Sequence, residues 1–476
     1  RAKEVGIRKV TGALRSQLIW QFITEAVVIA LLALLLGAAF MNIIKNTIHI
    51  NWINWDVENH FVLWSIYLVF TLFAGFVAGI FPAWILSGFK PAKVLKGIAG
   101  PASFGKLNLR KTLVIIQLVV SICYMLFMGH MYSQFKYMAT ENENFNRKNI
   151  YNITMNGGND RLLVNELLKN KNVEQVGATS ILFGSNAAEY AVKANKDDEN
   201  TRVYYVAADS QFVNNMKLKI VAGTNLPVSN IDSASSFIMV NEKTVNNFHL
   251  GTAQEAVGKT LILNNSAEIR IAGVVKDFCY SNYQFEVQPL IMQYNPAQFQ
   301  VLSVKTKNVG SEIAFKAEME RIWKQRYPHE AMVASWYEKD MYDRYFPKED
   351  MKFMFLLAGI IFVITLMGLF GMVTYSTEKR IKEIGVRRGM GASITQIVKL
   401  LSWSYLKLLI IAGIIALPAS YFSGVMFQKL FIFHGNMNYL LLMLFFIGIC
   451  VITIGTICLQ AMRSASVNPI KSLRTE

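Results

Sequence analysis

Two pairs of opposite charge, Glu4 with Arg8 and Glu383 with Arg387, have a spacing that can do work. In each pair the acid comes four residues before the base. On a helix this places both side chains on one face, in the more favourable order. Val5 and Ile384 mark a more apolar flank, able to rest on the bilayer or in a groove of a partner protein. Gly12 and Gly391 then allow a turn before the next element. A short helix with a charged face and a fixed exit turn suits a lever pushed by a partner; the plainer reading is a solvated juxtamembrane helix.

The other candidates for chemistry fail on spacing. Gly258-Lys259-Thr260 resembles the end of a phosphate loop, but that loop needs Gly where Ala253 stands. His329-Glu330 lacks the second His of a zinc motif, since position 333 is Val. Cys123, Cys450 and Cys458 fall inside apolar runs and Cys279 is alone, so neither a disulfide framework nor a metal site is expected. Trp323, Tyr327 and Trp336 read as core aromatics. Glu25, Lys399 and Lys407 lie toward one end of apolar runs, where Lys407 can reach the interface and Glu25 water or a neighbouring helix. No catalytic, cofactor-binding or metal-ligating residues are assigned, and the chain is not expected to be an enzyme.

The elements that carry these residues are membrane helices. Of 476 residues 53% are hydrophobic and only 17% charged, against about 25% charged in a soluble domain. Six apolar runs reach the roughly 20 residues that cross a bilayer: Leu18–Phe40, Phe61–Leu86, Thr112–Tyr132, Phe353–Tyr375, Leu406–Phe427 and Tyr439–Ala461. Gly75 and Gly79 form a small-residue face for close packing, and Pro418 is expected to kink the fifth span.

The net charge of +16 is not spread evenly. Residues Gln134–Asp350 hold 24 Lys and Arg against 25 Asp and Glu; the remainder holds 24 against 7. The excess sits in alternate loops beside the spans, the pattern of cytoplasmic loops. Both ends are therefore expected in the cytoplasm and residues 134–350 outside it, and nucleic-acid binding is not expected. The external segment is expected to be mixed α and β. Strands are predicted at Asn149–Met155, Arg202–Ala207, Phe237–Asn241, Thr260–Leu263, Ile269–Val275 and Val301–Lys305. Helices are predicted at Asp160–Leu168 and Glu312–Arg326, in one or two lobes.

The chain repeats itself. RAKEVGIRKVTGA (Arg1–Ala13) returns as RIKEIGVRRGMGA (Arg380–Ala392), and FKPAKVLKG (Phe89–Gly97) as VNPIKSLRT (Val467–Thr475) through the pattern x-Pro-x-Lys-x-Leu. Matching residue order at equivalent places is more than charge balance requires, which favours the lever over the solvated helix. The expected organisation is the end of a first repeat at 1–97, a cytoplasmic linker at 98–109, a membrane helix at 110–133, the external domain at 134–350 and a second core at 351–476. The first copy lacks the helix, domain and helix that precede the second, so an eight-helix protein with roughly 270 further residues ahead of Arg1 is expected, one external domain more.

The motif K-E-[VI]-G-[IV]-R-[KR]-x-x-G-A, the x-P-x-K-x-L-[KR] tail, and the segments IMVNEKTVNNFHLG (Ile238–Gly251) and IAGVVKDF (Ile271–Phe278) resemble the FtsX-like permeases, in particular the MacB-like ABC transporter permeases. The resemblance implies a polytopic α-helical membrane protein with an inserted α+β extracytoplasmic domain, in a bacterial inner membrane. It implies a cytoplasmic ABC ATPase dimer that binds the ATP, membrane lipid around the helices, and a periplasmic adaptor or second permease copy as further partners. The ATPase-coupling residues would be Glu4, Gly6, Arg8 and Gly12, with Glu383, Gly385, Arg387 and Gly391. The work expected is export of a peptide, antibiotic or lipoprotein, with FtsX-like signalling to an external cell-wall hydrolase as the alternative. Ionisable groups are scarce at mid-depth in the six spans, so the helices are expected to transmit movement rather than line a solute path.

Overall fold

The computed structural model describes residues 2–47, 59–88, 109–141, 145–155, 160–185, 187–227, 236–264, 267–307, 309–436 and 439–465. The tail motifs Phe89–Gly97 and Val467–Thr475 and most of the linker 98–109 lie outside these residues. Two compact units divide the chain. One comprises Arg1–Met128, Lys348–Ser420 and Met443–Glu476; the other comprises Gly129–Pro347 and Tyr421–Leu442.

All six apolar runs fall in long helices: α2 (Arg15–Thr47), α3 (His60–Ser87), α4 (Leu109–Thr140), α11 (Lys348–Lys379), α13 (Ile394–Gln428) and α14 (Tyr439–Ala465). The first unit holds these helices apart from the outer ends of α4, α13 and α14. α2, α4, α11 and α13 are 32 to 35 residues long, about 50 Å at 1.5 Å per residue. That exceeds the roughly 30 Å hydrocarbon core, so these helices continue beyond it. α13 runs through Pro418 as one helix.

Within the unit the packing follows small and polar side chains. A Cβ on Gly75 would lie 2.9 Å from Val27 Cα, and one on Gly79 2.9 Å from Ile23 Cα. α2 and α3 therefore touch backbone to backbone, as small-xxx-small faces do. Cys123 on α4 donates to the Ala416 carbonyl of α13 at 3.4 Å, and Gln460 on α14 donates to Thr374 Oγ1 of α11 at 2.7 Å.

The second unit carries two sheets. In the first, β1 (Ile150–Thr154) and β10 (Val301–Thr306) are flanked by β11 (Ala334–Trp336) and β2 (Val173–Thr179), all antiparallel. Helices α5 (Arg161–Leu168) and α9 (Glu312–Arg326) cover it with Leu163, Leu167, Phe315, Met319 and Trp323. Asp160 caps α5 and accepts from Arg326 Nε at 2.7 Å and Tyr327 Oη at 2.8 Å, tying the two helices together.

The second sheet has the order β5 (Ile220–Gly223), β8 (Ala267–Val275), β6 (Phe237–Asn241), β9 (Leu290–Gln293), β4 (Thr201–Ala207), β3 (Ala188–Lys193) and β7 (Thr260–Leu263), and β7 also pairs with β8. β4–β9 and β6–β8 are parallel. Short helices α6 (Ser210–Asn215), α7 (Glu242–Asn247), α8 (Ala253–Ala256) and α10 (Tyr337–Tyr345) complete the domain. The predicted strands and both predicted helices are present. β2, β3, β5, β9, β11 and the four short helices were not predicted.

Candidate functional site

The two copies of the repeated motif fold alike. α1 (Ala2–Val10) and α12 (Ile381–Gly389) are single short helices. Glu4 and Arg8 pair at 2.9 Å, and Glu383 and Arg387 at 3.1 Å, with all four side chains roughly half exposed. Gly6 and Gly385 lie mid-helix between them. Gly12 and Gly391 adopt φ of +98° and +94°, a left-handed conformation that glycine takes without a Cβ penalty. Around Gly12, Ala13 N–H donates to Arg8 O at 2.9 Å and Gly12 N–H to Lys9 O at 3.2 Å, the double bond of a Schellman ending. Ala392 N–H repeats the first bond to Arg387 O at 3.0 Å.

The following helix starts the same way in both copies. Leu14 N–H donates to Gln17 Oε1 and Ser393 N–H to Gln396 Oε1, each at 3.0 Å. Ser393 Oγ also accepts from Gln396 N–H at 3.3 Å, which completes a capping box. Helix, turn and membrane helix are thereby joined by hydrogen bonds at every step.

Val5 and Ile384 do not serve a partner or the bilayer. They are 2% and 6% exposed, Ile384 against Ile397, Leu401 and Ala461, because each short helix has its own membrane helices to pack on. In the first copy Lys9 Nζ donates to Ser87 O and Arg15 Nε to Ser87 Oγ at 3.2 Å, which fastens α1 and the start of α2 to the end of α3. Ile7, Val386 and Met390 face outward instead; Met390 is 75% exposed. The free face of α12 and the residue after it is thus Glu383, Val386, Arg387 and Met390, spaced i, i+3, i+4, i+7. The corresponding residues of the first copy are Glu4, Ile7, Arg8 and Thr11. The apolar members were not singled out from the sequence, though Ile7 and Val386 stand three residues after each acid and Met390 three after Arg387.

A second arrangement, wholly inside the other unit, was not predicted at all. The end of α4 meets the loop that follows α13. Gln134 Nε2 donates to Phe433 O at 3.2 Å, and its Oε1 accepts from Gly435 N–H at 3.3 Å. Ile432 and Phe433 N–H both donate to Tyr283 O, at 3.1 and 3.2 Å. Arg147 lies underneath, 1% exposed. Its guanidinium donates to Met138 O at 3.1 Å and Ala139 O at 3.3 Å, carbonyls at the negative end of the α4 dipole. It also donates to Tyr283 Oη and sits 4.9 Å from the Phe145 ring centroid. Among the described residues no carboxylate pairs with it. Cys279, Tyr283, Met138 and Phe431 form the apolar packing around this clasp. Burial pushes the Cys279 thiol up to about 12, although the Arg147 charge pulls it down.

The remaining candidates find structural work. Lys259 Nζ donates to Leu250 O at 2.8 Å. Trp323 is core and its Nε1–H donates to Glu330 O at 3.1 Å. Gln21 Nε2 donates to Glu25 Oε1 at 3.2 Å, and Lys407 Nζ lies 5.7 Å from the Trp403 ring centroid. Among the described residues no group of His, Cys, Asp and Glu could hold a metal ion.

The FtsX-like permease C-terminal family matches residues 1–93 and again 355–469, the two stretches that hold the repeat. The MacB-like periplasmic core domain matches residues 112–322. No curated protein matches the chain. Among solved structures it is similar to the periplasmic region of MacB from Actinobacillus actinomycetemcomitans. That match has 13% identity, covers 41% of this chain and 91% of the other, and has a TM-score of 0.32. It is also similar to the extracellular domain of the noncanonic ABC-type transporter YknZ from Gram-positive bacteria, at 15% identity, 39% and 98% coverage and a TM-score of 0.29.

Proposed function

Because the chain belongs to the FtsX-like permease family and carries a MacB-like periplasmic core domain, we propose that it is the permease subunit of an ABC-type export system. A separate cytoplasmic ATPase dimer binds and hydrolyses the ATP and works on α1 and α12. The observation that carries this reading is the duplicated, outward-facing stripe of acid, apolar residue and arginine, each followed by a hydrogen-bonded glycine turn into a membrane helix. A partner that grips Glu383, Val386, Arg387 and Met390 moves α13 as well, because Ala392 and Ser393 leave no slack between them.

The extracytoplasmic domain is the delivery end, and the clasp is where movement of the helix ends enters it. Transport of solute through the helices is not part of this reading. A peptide, antibiotic or lipoprotein is the proposed cargo, handled outside the membrane with a periplasmic adaptor or a second permease copy. Both ends of the chain lie in the cytoplasm. Co-purification of the chain with an ABC ATPase, stimulation of its hydrolysis, and ATP-dependent export in reconstituted vesicles test the proposal. Stimulated hydrolysis that instead activates a cell-wall hydrolase, with no cargo moved, assigns the chain to transmembrane signalling.

A further inference from the structure

The two copies of the repeat close their helical hairpins differently. Counting back from Pro91 and Pro469 sets Ala83 opposite Ala461, and both are fully buried. The same count sets Gly75 opposite Thr453 and Gly79 opposite Ile457. Where glycine lets α2 and α3 meet at backbone distance, the second copy carries the side chains of Thr453 and Ile457, and Ile457 lines the space between α13 and α14.

The consequence is a groove of about 440 Å³ between α13 and α14. Val398, Trp403 and Leu406 line it from one helix, and Ile457, Cys458 and Met462 from the other. Its lining runs from Ile394 to Leu406, about 18 Å of helix at 1.5 Å per residue. On α14 it follows the end of the apolar span that carries Arg463, close to where Ile384 of α12 packs on Ile397, Leu401 and Ala461. Among the described residues the one charge in the lining is Lys399, and Lys407 stands over Trp403 at 5.7 Å. An apolar slot the length of a fatty chain, edged by cations and without a carboxylate, complements an anionic amphiphile. Lysines at this depth reach the headgroup layer along their apolar stems, and basic sites between membrane helices on this side take acidic headgroups.

We propose that this groove is a binding site for one anionic phospholipid, its acyl chain between α13 and α14 and its phosphate on Lys399. In the first copy the backbone of α2 closes on α3 at Gly75 and Gly79 instead. A lipid there would set the spacing of the two helices that hang from α12.

Native mass spectrometry of the full chain released from micelles tests this, with phosphatidylglycerol or phosphatidylcholine titrated in as the probe. Wild type is expected to retain one phosphatidylglycerol in preference to phosphatidylcholine. Lys399→Gln, an exposed change that leaves the packing alone, should weaken that preference about fivefold, as expected for one cation at a charged interface. Cys458→Trp, which fills the groove, should abolish retention of either lipid, while Cys450→Trp one turn or more away should not. Equal retention of both lipids by wild type, or phosphatidylglycerol retention untouched by Lys399→Gln and Cys458→Trp together, overturns the proposal. So does a dimer peak that Cys458→Trp removes, which would give the groove to a second copy of the chain.

Discussion

Replacement of Arg147 gives a prediction in which two substitutions of similar size should differ for a physical reason. The guanidinium is 1% exposed and spreads three hydrogen bonds over Met138 O, Ala139 O and Tyr283 Oη. Arg147→Lys keeps the buried charge but has no planar fork to reach three acceptors. Each lost bond to a charged donor is worth about 1.5–3 kcal/mol, so a net loss of about 2–3 kcal/mol in local stability is expected. Arg147→Met loses the bonds as well, but it also removes an ion whose desolvation was costly. Its loss should be smaller, about 1–2 kcal/mol. Cys279 beside the clasp reports the opening, since its thiol is 4% exposed and its pKa is raised to about 12. With Cys123, Cys450 and Cys458 replaced by Ala, labelling by a membrane-impermeant thiol reagent follows the population of the open clasp. Relative to wild type the rate should rise about 30- to 150-fold for Lys and about 5- to 30-fold for Met. A Lys variant that labels no faster than wild type, or more slowly than the Met variant, refutes the reasoning.

Other outcomes follow from the same structure. A cysteine at exposed Asn195 should label fully from outside sealed cells while Cys279 stays protected; labelling of position 195 only after permeabilisation would invert the topology. Gly79→Val places its side chain against Ile23 Cα and Ala26 Cβ, 2.9 and 3.0 Å from the new Cβ. Overpacking of this kind costs about 1–3 kcal/mol and should lower the thermal midpoint in micelles by a few degrees. Burial pushes the Asp209 carboxyl up to about 6, against the backbone hydrogen bonds that draw it down. A raised acid favours the folded state at low pH, so this contribution is present below the ordinary value of 3.8 and lost as pH rises through about 6. Asp209→Asn keeps an acceptor for Phe212 N–H, so over that window wild type should lose on the order of 1–3 kcal/mol relative to the variant. A constant difference between the two across pH 4 to 7 would contradict the assignment.

The membrane helices were legible because each is a run of apolar residues longer than any soluble strand or turn requires. The repeat was legible as residue order, and both copies of Glu–Arg and glycine proved to be helix and turn. Glu312–Arg326 was found at its observed bounds because an apolar face recurs through a charged segment. β9 was missed because Leu290–Gln293 is four residues buried on both faces, a pattern that looks the same in a helix or a loop. At Val5 and Ile384 the local sequence shows an apolar flank but not what lies against it, and both side chains are buried. Arg147 was invisible for the same reason. Between Asn146 and Lys148 it reads as surface charge, and its burial is decided by Tyr283, 136 residues further on.

The proposed place where a separate ATPase applies its force is α12, and one reconstitution tests that most directly. The chain and its ATPase are placed in proteoliposomes, and ATP hydrolysis and export are measured for wild type and for Glu383→Arg with Arg387→Glu. Exposed helix pairs contribute only about 0.3–0.5 kcal/mol, so the double variant should insert and melt as wild type does. It is expected to lose both the stimulation of hydrolysis and export. Stimulation and export at wild-type levels in the folded variant would contradict the coupling role of α12.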